Sequence, residues 1–182
     1  LYFARCSSPD SYGNCDLFVA ERKADNTWGN VRNLGKNVNT IAWDSHPSLS
    51  RSGDTLFFAS DRIGGFGLSD IYFCVKDASG NFQPAQNAGP IINTRGSEVS
   101  PFFHHKFDVL FFSSNGQPLN FGDFDIYKSY KRDGVWAEPK NIGPLVNGPG
   151  SEYYFTIDSE SSQLYYARST ADALQNLDLY SF

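Results

Sequence analysis

At 182 residues, with 40% hydrophobic and 19% charged residues, the chain has the length and composition of a folded domain with a sizeable core. Aromatic residues make up 16% of it, and 16 glycines and 9 prolines punctuate the sequence, a balance that favours short strands over helices. A net charge of −5 with scattered basic residues excludes a nucleic-acid surface, and no run reaches the roughly 20 apolar residues of a membrane-spanning helix. The chain opens on Leu-Tyr-Phe without Met, so its true N-terminus is expected to lie elsewhere.

In chain order, the first predicted element is the apolar strand Leu1–Arg5. Cys6 and Cys15 then flank the polar loop "SSPDSYGN", so a hairpin across that loop brings them together. A Cys6–Cys15 disulfide is expected there, which favours an oxidising compartment. Cys74, inside an apolar strand, reads as a small buried hydrophobe. Next come Asp16-Leu17-Phe18, Trp28, Asn33-Leu34-Gly35, Val38-Asn39 and Asp44. After Asp44 the series begins again.

Leu1-Tyr2-Phe3 returns at Leu56-Phe57-Phe58, Leu110-Phe111-Phe112 and Leu164-Tyr165-Tyr166. The Asp-aliphatic-aromatic anchor returns at Asp70, Asp125 and Asp178, and the lone aromatic of Trp28 returns at Phe82 and Trp136. Asn-x-Gly recurs at Asn87 and Asn141, aliphatic-Asn at Asn93 and Asn147, and the closing acid at Glu98 and Glu152. From Trp28 onward each interval is 54 residues. So many anchors in one register define an internal repeat.

Each unit reads as four strands: one after the closing acid, then the "LFF" strand, the "DIY" strand and one around the Trp or Phe. The "LFF" strands are apolar at consecutive positions, so both faces are covered. Sheets of four strands buried on both faces are satisfied by stacking as blades, so the fold class expected is all-β, a β-propeller of four-stranded antiparallel blades. A single propeller region over 1–182 is expected, with a partial blade at 1–43, blades at 44–97 and 98–151, and a partial blade at 152–182. Open end blades would leave apolar faces bare, so further blades of the same parent protein are expected as partners.

"DSHPSLSRSGDTLFFASDRIGG", "SDIY" and "WAEPKNIG" together resemble the TolB-like, WD-type propeller repeat of bacterial cell-envelope proteins, over essentially the whole chain. The last copy departs from it, with "EYYF" where Pro is expected. The resemblance implies a periplasmic, outer-membrane-associated or secreted protein, in a class often joined to OmpA-like peptidoglycan-binding domains. It carries no biochemical role by itself.

Motifs of enzyme chemistry are missing: no G-x-S-x-G, H-E-x-x-H, C-x-x-C or Walker loop is present. No catalytic residue, metal or cofactor is therefore expected. Asp16, Asp70, Asp125 and Asp178 recur too regularly for catalysis and read as acceptors for loop amides. Asp44, Glu98 and Glu152 precede the innermost strands and are candidates for a channel-mouth binding ring, against the plainer role of capping their turns or pairing with Arg51 or Arg95. His46 joins that set, because it and Ser100 hold one repeat position whose identity changes between units. His104 and His105 border a turn. Asp123 and Asp125 alone make a poor calcium loop, and Gly64, Gly65 and Gly67 read as turn formers. The expected function is a non-catalytic interaction module that binds a protein or an envelope glycan. The alternative is a propeller supporting a peptidase or glycoside hydrolase whose catalytic residues lie outside these residues.

Overall fold

The computed structural model describes residues 1–170 and 173–182. Among the described residues every regular element is a strand, and all sheet pairings within the four sheets are antiparallel. The first sheet contains β1 (Tyr2–Cys6), β2 (Cys15–Arg22) and β3 (Trp28–Asn33), in that order. The second holds β4 (Asp44–Leu49), β5 (Thr55–Ser60), β6 (Asp70–Val75) and β7 (Gln86–Asn87). The third is built from β8 (Glu98–His104), β9 (Val109–Ser114) and β10 (Asp125–Arg132), with β11 (Val135–Trp136) and β12 (Lys140–Asn141) both pairing β10. The fourth has β13 (Ser151–Ile157), β14 (Leu164–Thr170) and β15 (Ala173–Ser181).

The partial blades at either end appear as three-stranded sheets, and the two expected four-stranded blades between them as sheets of four and five strands. Proline explains the middle pair. Pro139 has no N–H for the ladder and splits the outermost strand of the third sheet into β11 and β12. Pro84 does the same in the second sheet, leaving an isolated Lys76–Phe82 bridge and the two residues of β7. The first sheet has no proline there, and β3 runs six residues.

The consecutive apolar residues of the "LFF" strands are buried between sheets, as their pattern requires. Leu56, Phe58 and Tyr72 pack with Leu17 and Val38 between the first two sheets. Phe57 and Ile71 pack with Leu110, Phe112 and Trp136 between the second and third. Ile126 and Val146 pack with Phe155 and Tyr166 between the third and fourth. Neighbouring sheets are also latched through backbone: Leu68 N–H donates to Gly96 O at 2.8 Å and Glu98 N–H to Ser69 O at 2.8 Å. Gly67 makes that approach possible, since a Cβ there would lie 2.2 Å from Gly96 O.

Cys6 and Cys15 are cross-strand partners in the first hairpin and form a disulfide, as expected. Cys74 is free and buried, and burial pushes its thiol up to about 12. Reduction should lower stability by about 2–3 kcal/mol, the loop-closure value for roughly ten residues. Urea unfolding with and without reductant measures it; coincident curves would contradict the estimate.

Candidate functional site

The repeated acids and asparagines form one device used three times. Asp70 accepts the amides of Phe66 (2.6 Å) and Gly67 (3.1 Å) and the side-chain amide of Asn87 (2.6 Å). Asp16 does the same with Tyr12, Gly13 and Asn33, and Asp125 with Phe121, Gly122 and Asn141. The Asn-x-Gly asparagine turns its oxygen to Gly35, Gly89 or Gly143 N–H. Behind it the buried Asn39, Asn93 and Asn147 each accept the amide N–H of Leu17, Ile71 or Ile126 and donate to its carbonyl. These buried polar groups are satisfied internally and leave nothing for a ligand. Asp178 holds the fourth equivalent position but is exposed, opposite Arg168. The described residues of its sheet include no outermost strand to supply an asparagine.

The three closing acids are fully buried. Asp44 accepts from Thr40 N–H (2.6 Å) and hydroxyl (2.9 Å) and pairs with Arg62 at 2.6 Å. Glu98 accepts from Thr94 N–H, Thr94 hydroxyl and Ser114 hydroxyl. Glu152 accepts from Gly148 N–H and pairs with Arg168 at 2.8 Å. Burial pushes the carboxyls of Glu98 and Glu152 up, with Ser114 and Thr94 opposing at Glu98, and Gly148 and Arg168 at Glu152. The cation partners are Arg62 and Arg168 rather than Arg51 or Arg95. In each case one oxygen faces its own turn and the other a side chain at the end of the neighbouring strand, so all three carboxylates are buried and internally paired rather than open to a ligand.

His46 is different. Two residues after each acid, the inner strand carries a bulge whose central residue has a left-handed backbone: His46 (φ 55°), Ser100 (φ 51°) and Tyr154 (φ 55°). Such a conformation is uncommon outside glycine and costs on the order of 1 kcal/mol each. The bulges turn the three side chains toward one another. Ser100 N–H donates to His46 Nδ1 at 3.1 Å, and His46 Nε2 lies 3.3 Å from the Tyr154 hydroxyl. Accepting at Nδ1 fixes the proton on Nε2, which donates to Tyr154. Burial pushes the imidazole down to about 4, so it is neutral at physiological pH.

The His46 ring also meets Trp43 edge-on at 4.9 Å and Tyr154 at 5.1 Å. Beside them opens a cleft of about 420 Å³, walled by Trp43, Leu68, Phe124, Tyr153 and Tyr154, with Asp61 at its edge. Tyr154 is 52% exposed and Leu68 73% exposed, so this apolar surface is accessible. Ser100 Oγ lies 3.4 Å from His46 Nδ1, but that nitrogen already accepts the Ser100 N–H. The pair therefore lacks the free base a nucleophilic serine needs. Among the described residues no group of three or more His, Cys, Asp or Glu side chains is placed to hold a metal ion. Asp123 accepts from Ser151 hydroxyl, while Asp125 serves its loop.

The sequence pointed to His46 and Ser100 as one variable position. It did not join Tyr154 to them, because the Pro that follows His46 and Ser100 is replaced by Phe155. Trp43, Tyr153 and Phe124 gave no separate signal. Gly64 has a left-handed φ of 97°, and Gly65 abuts the Asp70 carboxylate, consistent with turn formation. His104 is buried at the end of β8, where it accepts Lys106 N–H at the turn.

Arranged this way, the sheets match solved β-propeller structures over nearly the whole chain. The fold is TolB-like. A putative TolB from Agrobacterium tumefaciens aligns over 98% of this chain and 59% of its own, at a TM-score of 0.57 and 14% identity. TolB from Acinetobacter baumannii aligns over 92% of this chain and 35% of its own, at 0.56 and 12%. An alpha-L-arabinofuranosidase from Lactobacillus brevis aligns over 99% of this chain and 66% of its own, at 0.60 and 14%. The chain thus spans about three fifths of the first structure's length and about a third of the second's. No family model and no curated relative matches the sequence. No helix among the described residues is long and apolar enough to cross a membrane.

Proposed function

We propose that this chain is a non-catalytic propeller interaction module of an extracytoplasmic cell-envelope protein, and that it grips a protein partner at the aromatic cleft around His46. The carrying observation is that two left-handed bulge positions, His46 and Tyr154, line one accessible aromatic cleft, while the third, the buried Ser100, holds His46 from behind. Strain held by surrounding structure concentrates where a surface has a task. The Cys6–Cys15 disulfide supports an oxidising compartment, and the TolB-like fold supports the envelope. The same reading takes the uncovered faces of the first and fourth sheets as seats for further blades of the parent protein.

A photocross-linking amino acid at Leu68, on the exposed cleft rim, tests the reading in envelope extracts. One adduct should form, and Trp43→Ala with Tyr154→Ala should reduce it by about tenfold, the loss typical of removing aromatic anchors. Capture of purified peptidoglycan with the same dependence would move the reading to an envelope glycan. Turnover of an arabinofuranoside or a chromogenic peptide that His46→Ala abolishes would overturn it in favour of an enzyme.

A further inference from the structure

The first two interfaces between sheets are each closed by an aromatic side chain from the outer edge of the later sheet. Phe82 reaches back to the first sheet and meets Tyr2 edge-on, with ring centroids 6.3 Å apart. Trp136 reaches back to the second sheet and meets Phe57 edge-on at 6.2 Å. Both closing residues are buried. Trp28, which occupies the same position with no sheet before it among the described residues, is 51% exposed.

Between the third and fourth sheets the same place is open. A cavity of about 550 Å³ lies there, mostly apolar, with Phe111, Lys128, Ile142, Leu145, Ile157 and Phe182 on its walls. Phe111 holds the repeat position of Tyr2 and Phe57, the two residues against which Phe82 and Trp136 pack. Lys128 and Ile157 hold the positions of Phe73 and Phe103, whose rings flank Phe57 at 6.1 and 5.0 Å. Leu145, at the rim, is 81% exposed. The cavity therefore has the walls of the two closed interfaces without the aromatic side chain that closes them.

We infer that this cavity is the socket for an aromatic side chain on a strand pairing with β15, supplied by a further repeat of the parent protein. That strand has the form seen three times here, an aromatic residue, four others, then Asn-x-Gly, as at Trp28–Gly35, Phe82–Gly89 and Trp136–Gly143. The asparagine would reach Asp178, which stands where Asp16, Asp70 and Asp125 receive theirs. The inference rests on reading the end sheets as seats for further blades and is independent of what the His46 cleft binds.

The test uses two synthetic peptides with the sequence of residues 135–147, "VWAEPKNIGPLVN", one of them carrying Trp136→Ala. The unaltered peptide should bind the 182-residue chain one to one and protect the β15 amides from hydrogen exchange. The Trp136→Ala peptide should bind about tenfold more weakly, the usual cost of losing a buried aromatic anchor. Ile157→Trp fills the cavity from within and should weaken the unaltered peptide about tenfold while keeping a cooperative unfolding transition. Equal binding by both peptides would remove the socket while leaving strand addition at β15. Binding by neither, or a dimer of the chain that occludes the cavity, would overturn the socket and its occupant together.

Discussion

Asp70→Ala should lower stability by about 4 kcal/mol, the largest effect of any single substitution proposed for this chain. The carboxylate is 1% exposed and accepts three hydrogen bonds, from Phe66 N–H, Gly67 N–H and the Asn87 side chain. Bonds to a charged acceptor contribute about 1.5–3 kcal/mol each, and water reaching the two loop amides would recover part of the loss. The change also frees Asn87, which otherwise orients Gly89 N–H and Asn93. Asp178→Ala supplies an internal control. The same sequence anchor is exposed there, and its removal should cost no more than about 0.5 kcal/mol. Equilibrium denaturation of both variants decides the matter; equal losses would show that the asparagine and loop amides add nothing to the acid.

That contrast marks how far the sequence can be read. Asp16, Asp70 and Asp125 were legible as acceptors for loop amides because a short acid at a strand start has few other uses. Asp178 shares the motif, but its role depends on an asparagine from the next strand, and a one-dimensional pattern cannot show whether that strand is in place. Asn39, Asn93 and Asn147 were visible only as anchors of the period. Their double hydrogen bond to a residue 21 or 22 positions earlier exists only once the chain has folded back.

The closing acids were misleading for a different reason. A carboxylate before an inner strand reads as a channel-mouth group, but side-chain direction decides whether it meets solvent or, as here, its own turn and the end of the neighbouring strand. Thr40 and Thr94, four residues before Asp44 and Glu98, were the available sign of a turn cap. The cleft was legible at His46 and Ser100 because a changing residue within a constant frame stands out. Its walls were not, since Trp43 stands at the junction of the first two sheets while Phe124 and Tyr153 meet at that of the third and fourth.

His46 makes the protein sensitive to mild acid. In the unfolded chain its imidazole titrates near the ordinary value of 6.5, while burial holds it down to about 4 in the folded protein. Unfolding therefore takes up a proton between those values. The folded state keeps its full stability from this group above pH 6.5 and loses it progressively as the pH falls toward 4. The geometry gives the same sign, because a proton on Nδ1 would face the Ser100 N–H that now donates to it. Allowing for the partial exposure of the ring, the loss should be about 2 kcal/mol at pH 4.5 relative to pH 7.5. Glu98 and Glu152 act oppositely: their raised carboxyls favour the folded state as the pH falls through their folded values. Comparison with His46→Asn removes that background, since both acids remain, and asparagine tolerates the left-handed backbone at this position. The difference in stability between the two proteins should therefore shift by about 2 kcal/mol in favour of the variant between pH 7.5 and 4.5. Parallel pH profiles would mean that the imidazole is open to solvent and that the three bulges do not converge on it.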